Sequence, residues 1–367
     1  MRNIVETRRV IVCCGAGGVG KTSVSAALAL AAARQGRRVL VITIDPSRRL
    51  ADLMGISRRS EKPVRLPEDL QQATGIAAPG LLDTWVLDPQ RIADTAVRAL
   101  TKTPREAERL LGNRVYRNVT QMIAGMQEYT AVEALHGFVK EDRYDLVVLD
   151  TPPSRNALQF LESPSRLRAF IDGRIFNLFV PRSGGKIFRT ASRMVDTVLD
   201  IGLGRDTRRE LQDFFQGFAA VLRQLTSNAT DMRSYFRSPQ VSFLSVTSPA
   251  ETALREAFFF ADQLKTQFNI PLGGFILNRS MACRREELAH PSDYIDGKKS
   301  AVLCSALEKL ARLADEEHRQ RREAKALLAK LKEKAGTEAR CMALPIIQQG
   351  VTDVGSLVAL ADALVVP

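Results

Sequence analysis

Four glycines, a lysine and a threonine fall within eight residues near the start of the chain, Gly15-Ala16-Gly17-Gly18-Val19-Gly20-Lys21-Thr22. This is the spacing of a phosphate-binding loop, in which glycines let backbone N–H groups converge on phosphate oxygens. An apolar β-type run at residues 10–14 precedes the loop, and an alanine-rich helical run at residues 23–33 follows it. The loop therefore leads into a helix amino terminus, whose dipole favours anions. We predict that a nucleoside triphosphate binds here, with contacts to Gly17, Gly18, Val19, Gly20, Lys21, Thr22 and Ser23.

Side chains in and near this loop are candidates for the chemistry. We expect Lys21 to reach the β- and γ-phosphates and the Thr22 hydroxyl to contact Mg²⁺. Asp150 ends an apolar run, and a strand-terminal aspartate of this kind typically holds Mg²⁺ through water. Asp45 ends another apolar run, and we predict that it contributes to the metal site and orients or deprotonates the attacking water. The alternative for Asp45 is a turn-forming aspartate before Pro46.

Apolar runs separated by helical stretches predict the fold. The predicted strands cover residues 37–45, 144–150, 240–247, 273–278 and 341–345. Continuous Val, Ile and Leu runs of this kind are typical of a parallel sheet that is buried on both faces. We therefore predict an α/β fold, a P-loop NTPase with a mostly parallel, doubly wound sheet. The glycine loop, Asp45, Asp150 and Asn278 all fall at the carboxyl ends of strands, where such sheets bind ligands.

The remaining segments predict one domain over residues 1–367 with a helical insertion subdomain. Residues 88–140 and 154–239 are mostly helical in pattern, and we expect both insertions to lie beside the nucleotide site. A polar helix is predicted from about residue 300 to 334. Residues 58–80 contain several Pro, Gly and Gln residues without a clear period, which predicts a loop.

Composition limits the function classes. The net charge of +12 is compatible with several acidic partners, but no nucleic-acid motif accompanies it, so nucleic acid is not an expected partner. The five cysteines are scattered and form no Cys-x-x-Cys pair, which argues against a disulfide framework and against a zinc site. No apolar run is long enough to span a bilayer and no signal peptide is recognisable, so we expect a cytoplasmic chain. A peripheral membrane contact is left open.

Over nearly its whole length the chain resembles the ArsA-like ATPases, a branch of the class that includes the tail-anchored-protein targeting ATPase, MinD, ParA and the nitrogenase iron protein. The resemblance rests on the glycine loop at 15–22, Asp45-Pro46, residues 150–154, residues 246–251, Asn278-Arg279 and Leu344-Pro345. It implies a Mg²⁺-dependent ATPase, a homodimer or paired dimer that closes around ATP and opens after hydrolysis. By resemblance, Asp45 is the water-activating residue of switch I and Asp150 begins switch II. Asn278 and the backbone after Pro345 form the adenine pocket.

The chain departs from the family at the loop itself. The family's usual loop begins Gly-Lys-Gly-Gly, with a lysine that reaches the partner's phosphates, and this chain has Ala16 there. A cation acting in trans on developing charge can be worth roughly 10³–10⁵ in rate. The departure implies slow hydrolysis, a replacement cation from Arg48, Arg49 or Arg155, or a paralogous partner that supplies the lysine.

Two further departures concern clients. Metalloid-responsive relatives bind As(III) through cysteines of the helical region, whereas this chain has no cysteine between Cys14 and Cys283. Membrane-protein targeting relatives often dimerise through a Cys-x-x-Cys zinc site, which is also missing. An apolar run at residues 176–181 precedes several basic residues, a pattern that is compatible with a membrane surface or an apolar client helix. The preferred interpretation is a loop followed by a core helix.

Three functions from different classes remain. The favoured one is an ATP-driven dimeric switch that couples hydrolysis to an unknown client or transport partner. The second is an ATP-binding regulatory subunit that depends on a paralogue, which the missing lysine favours. The third is a positioning ATPase of the ParA or MinD type, which the large helical insertion disfavours.

Overall fold

An eight-stranded sheet organises the chain in the computed structural model, which describes residues 1–44, 49–55, 62–113, 116, 126–153, 158, 161–162, 165, 169, 205–283 and 301–365. The strands are β1 (Val10–Gly15), β2 (Arg38–Thr43), β3 (Val64–Arg65), β4 (Leu81–Val86), β5 (Leu146–Asp150), β6 (Val241–Thr247), β7 (Leu272–Leu277) and β8 (Arg340–Ala343). Their order across the sheet is β3-β4-β2-β5-β1-β6-β7-β8. Neighbours pair in parallel except β3 and β4, which are antiparallel. The predicted α/β class with a mostly parallel sheet is confirmed.

Helices cover both faces of this sheet. The described helices are α1 (Arg2–Thr7), α2 (Lys21–Arg34), α3 (Arg49–Met54), α4 (Glu68–Ala73), α5 (Pro89–Leu100), α6 (Pro104–Gly112), α7 (Met126–Glu141), α8 (Arg205–Tyr235), α9 (Glu251–Thr266), α10 (Ala301–Ala335) and α11 (Val354–Val365). Alternate residues of β1 enter two cores: Val10 and Val12 pack with α5, α7 and α8, whereas Ile11 and Cys13 pack with α2 and α11. Successive strand side chains point to opposite faces, so a strand buried on both sides must be apolar throughout.

Within the described residues, the two predicted insertions are helical. Helices α5, α6 and α7 fall within or at the end of residues 88–140, and α8 falls within residues 154–239. These helices pack on one face of the sheet through a single core that includes the rings of Tyr116, Phe214 and Phe218. The run at residues 176–181 lies outside the described residues. The division into one domain with insertions stays a prediction.

The predicted polar helix is α10, whose carboxyl-terminal half packs on the sheet. Ala324 and Leu331 are buried, and Leu331 shares a small core with Phe275 and Leu277 of β7. Farther towards the amino terminus, Leu310 and Leu313 are exposed. Neither α10 nor any other helix in the described ranges has the length and hydrophobicity needed to cross a bilayer.

The prediction of a loop over residues 58–80 was wrong at residues 64–65 and 68–73, whereas the other described residues of this range lie in neither a helix nor a strand. Helix α4 occupies residues 68–73, and β3 lies at residues 64–65, where it pairs with β4. Two strand residues and six helical residues are too few to show a period in the sequence.

Strand β4 was not predicted, because Asp83 and Thr84 interrupt its apolar run. Both side chains are nevertheless buried. Asp83 accepts a hydrogen bond from the Tyr144 hydroxyl (2.7 Å) and pairs with Arg65 (3.1 Å), so its charge is compensated within the fold. The buried position of Asp83 therefore depends on Tyr144 and Arg65, which are distant from it in the sequence.

Candidate nucleotide-binding site

The glycine loop lies between β1 and α2, at the carboxyl edge of the sheet. Gly20 is the amino-terminal cap of α2 with φ +92°, and a Cβ atom there would lie 2.3 Å from Asn278 Nδ2. At Gly15 a Cβ would lie 2.0 Å from the carbonyl oxygen of Val246. Both positions therefore require glycine, one for its backbone angle and both for close packing. No side chain caps α2, so its first-turn N–H groups are available to an anion.

Lys21 is held over this loop. The residue is 8% exposed, and its Nζ donates a hydrogen bond to the carbonyl oxygen of Ala16 at 2.8 Å. The lysine side chain therefore points back over the glycine loop that precedes it. This position agrees with the predicted contact between its ammonium group and phosphate oxygens, although the contact itself stays a prediction.

Two hydroxyl groups converge on one oxygen of Asp150. Thr22 Oγ1 donates to Asp150 Oδ2 at 2.8 Å, and Thr43 Oγ1 donates to the same atom at 2.9 Å. Asp150 has no exposed surface. The sheet brings these residues together because Thr43 of β2 and Asp150 of β5 are register partners, and Thr22 begins the helix that follows β1. The sequence predicted that Thr22 and Asp150 meet, but it did not single out Thr43.

The chemistry of these groups fits Mg²⁺. This ion prefers oxygen ligands, and it commonly uses one or two protein side chains together with water and phosphate. The neighbouring Cys13 and Cys14 side chains lie within the apolar cores, and burial raises the pKa of Cys13 well above its usual range and that of Cys14 to about 12. Thr22 and Asp150 supply hard oxygen donors.

Asn278, the residue after β7, connects the glycine loop to strands β6 and β7. Its Nδ2 donates to the carbonyl oxygen of Val19 at 2.8 Å, and its backbone N–H donates to Thr247 at 2.8 Å. The chain after β8 runs alongside, because Leu344 N–H donates to the carbonyl of Leu277 at 2.9 Å. The structure thus places Asn278 and the segment leading to Pro345 beside the phosphate loop. Their role in adenine recognition stays a prediction.

Several predicted residues lie outside the described part of the chain. These are Asp45, Arg48 and Arg155. The described chain nevertheless approaches the site closely, because Ile44 N–H donates to the carbonyl of Asp150 at 3.2 Å. Ala16, which stands where the family's usual loop has lysine, is buried at 7% exposure.

The family match and the similar proteins all point to the same group of ATPases. The sequence profile of the family described as anion-transporting ATPase matches residues 8–301. The chain is similar to a putative arsenical pump-driving ATPase of Halobacterium salinarum, with 30% identity over 202 residues that cover 52% of this chain and 29% of that protein. A putative arsenical pump-driving ATPase 1 of Aquifex aeolicus is 23% identical over 259 residues, covering 68% of this chain and 58% of its own.

A eukaryotic relative is also similar. ATPase GET3 of Kluyveromyces lactis is 30% identical over 179 residues, which cover 46% of this chain and 48% of the relative. The matched segments therefore span less than two thirds of the length of each of these three proteins. The remainder of each relative is unmatched by this chain.

Proposed function

We propose, from the premise that this chain belongs to the anion-transporting ATPase family, that it binds ATP at residues 15–22 and hydrolyses it with Mg²⁺. The resemblance to ArsA-like ATPases is confirmed by the family match over most of the chain. The observation that carries the proposal is the contact of Thr22 with buried Asp150, 2.8 Å apart, directly beside the loop that holds Lys21. A phosphate loop, a lysine and two metal-binding oxygens together are the parts that phosphoryl transfer needs.

In this mechanism the chain mainly positions and neutralises the triphosphate. Loop N–H groups and the amino terminus of α2 bind phosphate oxygens, and the Lys21 ammonium group moves from the Ala16 carbonyl to the β- and γ-phosphates. Thr22 and Asp150 would hold Mg²⁺, and the bound ion would supply positive charge to neutralise the phosphate oxygens. Thr43 keeps the Asp150 carboxylate oriented through its 2.9 Å hydrogen bond.

We assign the attacking water to Asp45, as the family resemblance implies. Asp45 follows Ile44, and the backbone of Ile44 is hydrogen-bonded to Asp150 at 3.2 Å. By the same resemblance, the Asp45 carboxylate acts on the water that attacks the γ-phosphate. It would accept the proton of water as the γ-phosphoryl group departs.

We further propose that the active form is a dimer that closes around ATP. Ala16 supplies no cation, so either hydrolysis is slow or a cation comes from Arg48, Arg49 or Arg155, or from the loop of a paralogous chain. The missing lysine favours a specific second candidate, an ATP-binding regulatory subunit that is activated by a related chain with lysine at this position. The client or transport partner that the switch serves is not specified by any residue discussed above.

ATP turnover of the purified chain tests the hydrolase proposal. We expect Mg²⁺-dependent release of phosphate, and we expect Lys21→Ala to lower the rate at least about a hundredfold because the main cation on the phosphates is lost. Lys265→Ala, at an exposed position on α9, is the matched control. Unchanged turnover in Lys21→Ala would refute the assigned phosphate site, whereas ATP binding without turnover in the unmodified chain would select the regulatory-subunit candidate.

A further inference from the structure

A cavity of about 600 Å³ lies between α5 and α7, away from the phosphate loop. Its floor contains Trp85 of β4 and Phe138 of α7, whose rings meet edge to face with centroids 5.6 Å apart. Small residues, among them Ala96, Ala134 and Gly137, line it on the facing helices. Its volume lies within the range of small-molecule sites in proteins.

Gly137 keeps the cavity open. A Cβ atom at this position would meet no atom within 4 Å. Glycine inside a helix is less favourable than alanine, and α7 gains no close packing from it in return. The empty space beside Gly137 is therefore part of the cavity. A larger side chain at this position would project into it.

One carboxylate in the cavity wall is fixed by neighbours. Asp94 Oδ1 accepts hydrogen bonds from the Tyr116 hydroxyl at 2.8 Å and from Gln90 Nε2 at 2.9 Å. Among the described residues, no hydrogen bond or ion pair engages Asp94 Oδ2. Tyr116 is buried, so it holds the carboxylate in one orientation. An oriented carboxylate with one free oxygen is a preorganised acceptor for a cationic donor.

The charges around the cavity also favour a cation. Four carboxylates line it, those of Asp88, Asp94, Glu133 and Glu141, against two guanidinium groups. Those two guanidinium groups are paired: Arg91 lies 3.6 Å from Asp88, and Arg98 pairs with Glu108 outside the lining. The cavity is thus net acidic in a chain whose net charge is +12.

We propose that this cavity binds an organic ammonium ion, an amine carried on an aromatic or branched apolar body. The body packs on Trp85 and Phe138, and the ammonium group donates to Asp94 Oδ2. The two aromatic rings supply apolar contact area for the body, and the carboxylates exclude anionic ligands of the same shape. The proposal is independent of ATP hydrolysis, because none of its residues belongs to the nucleotide site.

Energy transfer from Trp85 gives a direct test, because the chain has one tryptophan. The probe is dansylcadaverine, an aromatic group with a primary ammonium tail, whose dansyl group accepts tryptophan emission. Its N-acetylated form, which lacks the charge, is the matched control ligand. We expect saturable transfer from Trp85 to dansylcadaverine and at least about tenfold weaker binding of the acetylated probe.

Two variants assign the site. Asp94→Asn keeps an oxygen that can accept from Tyr116, so the fold is preserved while the charge is lost. We expect it to weaken dansylcadaverine by about tenfold and to leave the acetylated probe unchanged. Gly137→Leu narrows the cavity and should weaken binding of both probes. Asp262→Asn on α9 removes a charge elsewhere and should change neither.

Thermal unfolding and ATP binding of each variant provide the check on folding. The proposal is overturned if the two probes bind equally well, if Asp94→Asn binds the amine like the unmodified chain, or if no saturable transfer occurs. Unchanged binding in folded Gly137→Leu would place the probe outside the cavity and would also overturn it.

Discussion

At the scale of single residues, Asp150 is the centre of the nucleotide site. A carboxylate with no exposed surface is costly unless hydrogen-bond donors compensate it. Thr22 and Thr43 donate to the same oxygen from two different elements, one from the helix after the loop and one from strand β2. The position of Asp150 therefore depends on both elements, and so does the magnesium site proposed around it.

Thr43→Val tests whether this hydroxyl orients the carboxylate. The two side chains have similar shapes, so the substitution removes one hydrogen bond from a buried strand with little change in packing. Loss of a net hydrogen bond of about 1 kcal/mol should raise the Mg²⁺ concentration needed for half-maximal ATP turnover roughly fivefold. ATP binding in the absence of Mg²⁺ should stay unchanged.

The same substitution at Thr84 is the control for this experiment. Thr84 is also buried in a strand, on β4, and its hydroxyl makes no hydrogen bond in the described structure. Thr84→Val should leave the Mg²⁺ dependence unaltered. Thr43→Ser keeps the hydroxyl and should behave like the unmodified chain. Equal Mg²⁺ dependence of the Thr43→Val variant and the unmodified chain would contradict this role of Thr43.

At the scale of elements, the loop, helix α2 and strand β7 are joined at Gly20. The left-handed backbone of Gly20 turns the chain into α2, and the Asn278 amide fills the space where a side chain would stand. The Asn278 bond to the Val19 carbonyl at 2.8 Å fixes the preceding residue. The conformation of the loop is therefore fixed by the backbone of Gly20 and by the contacts of Asn278.

Gly20→Ala should destabilise the chain and Gly17→Ala should not. At Gly20 the added methyl group meets Asn278 Nδ2 at 2.3 Å, and the φ of +92° is strained for alanine, at a cost of at least about 1 kcal/mol. At Gly17 a Cβ meets nothing within 4 Å. Thermal unfolding without nucleotide measures both, and equal melting temperatures for the two variants would contradict this view of the loop.

Much of the fold could be predicted from the sequence because the strands that carry the site are continuous apolar runs. The predicted strand at residues 144–150 became β5 at 146–150, and the one at 240–247 became β6 at 241–247. Strand β4 escaped prediction because buried Asp83 depends on Tyr144, far along the chain. A local pattern carries no information about such a partner.

The candidate site was predictable to a similar extent. The glycine-loop motif and the predicted strand ends placed Lys21, Thr22 and Asp150 at one edge of the sheet, because the carboxyl ends of parallel strands lie at the same edge. The pairing of Thr43 with Asp150 and that of Asn278 with Val19 depend on strand order and register, which the sequence did not supply. Asp45 lies outside the described residues, so its role rests on the family resemblance.

At the scale of the whole molecule, the chain contains one phosphate loop with alanine where the family's usual loop has lysine. The loop of this chain therefore lacks the lysine of the family's usual loop, and the proposed function includes a second chain as one source of the replacement cation. The acidic cavity lies in the helical layer between α5 and α7, and none of its lining residues belongs to the nucleotide site.

The most direct test of the central claim is the mass of the purified chain in solution, measured by light scattering with and without Mg²⁺ and ATP. The account predicts a shift from the 40.6 kDa of one chain to about twice that mass when ATP is present, with no shift for Lys21→Ala. Turnover recorded on the same sample shows whether the closed pair is active by itself. The mass of a single chain in both conditions would contradict an ATP-driven dimeric switch.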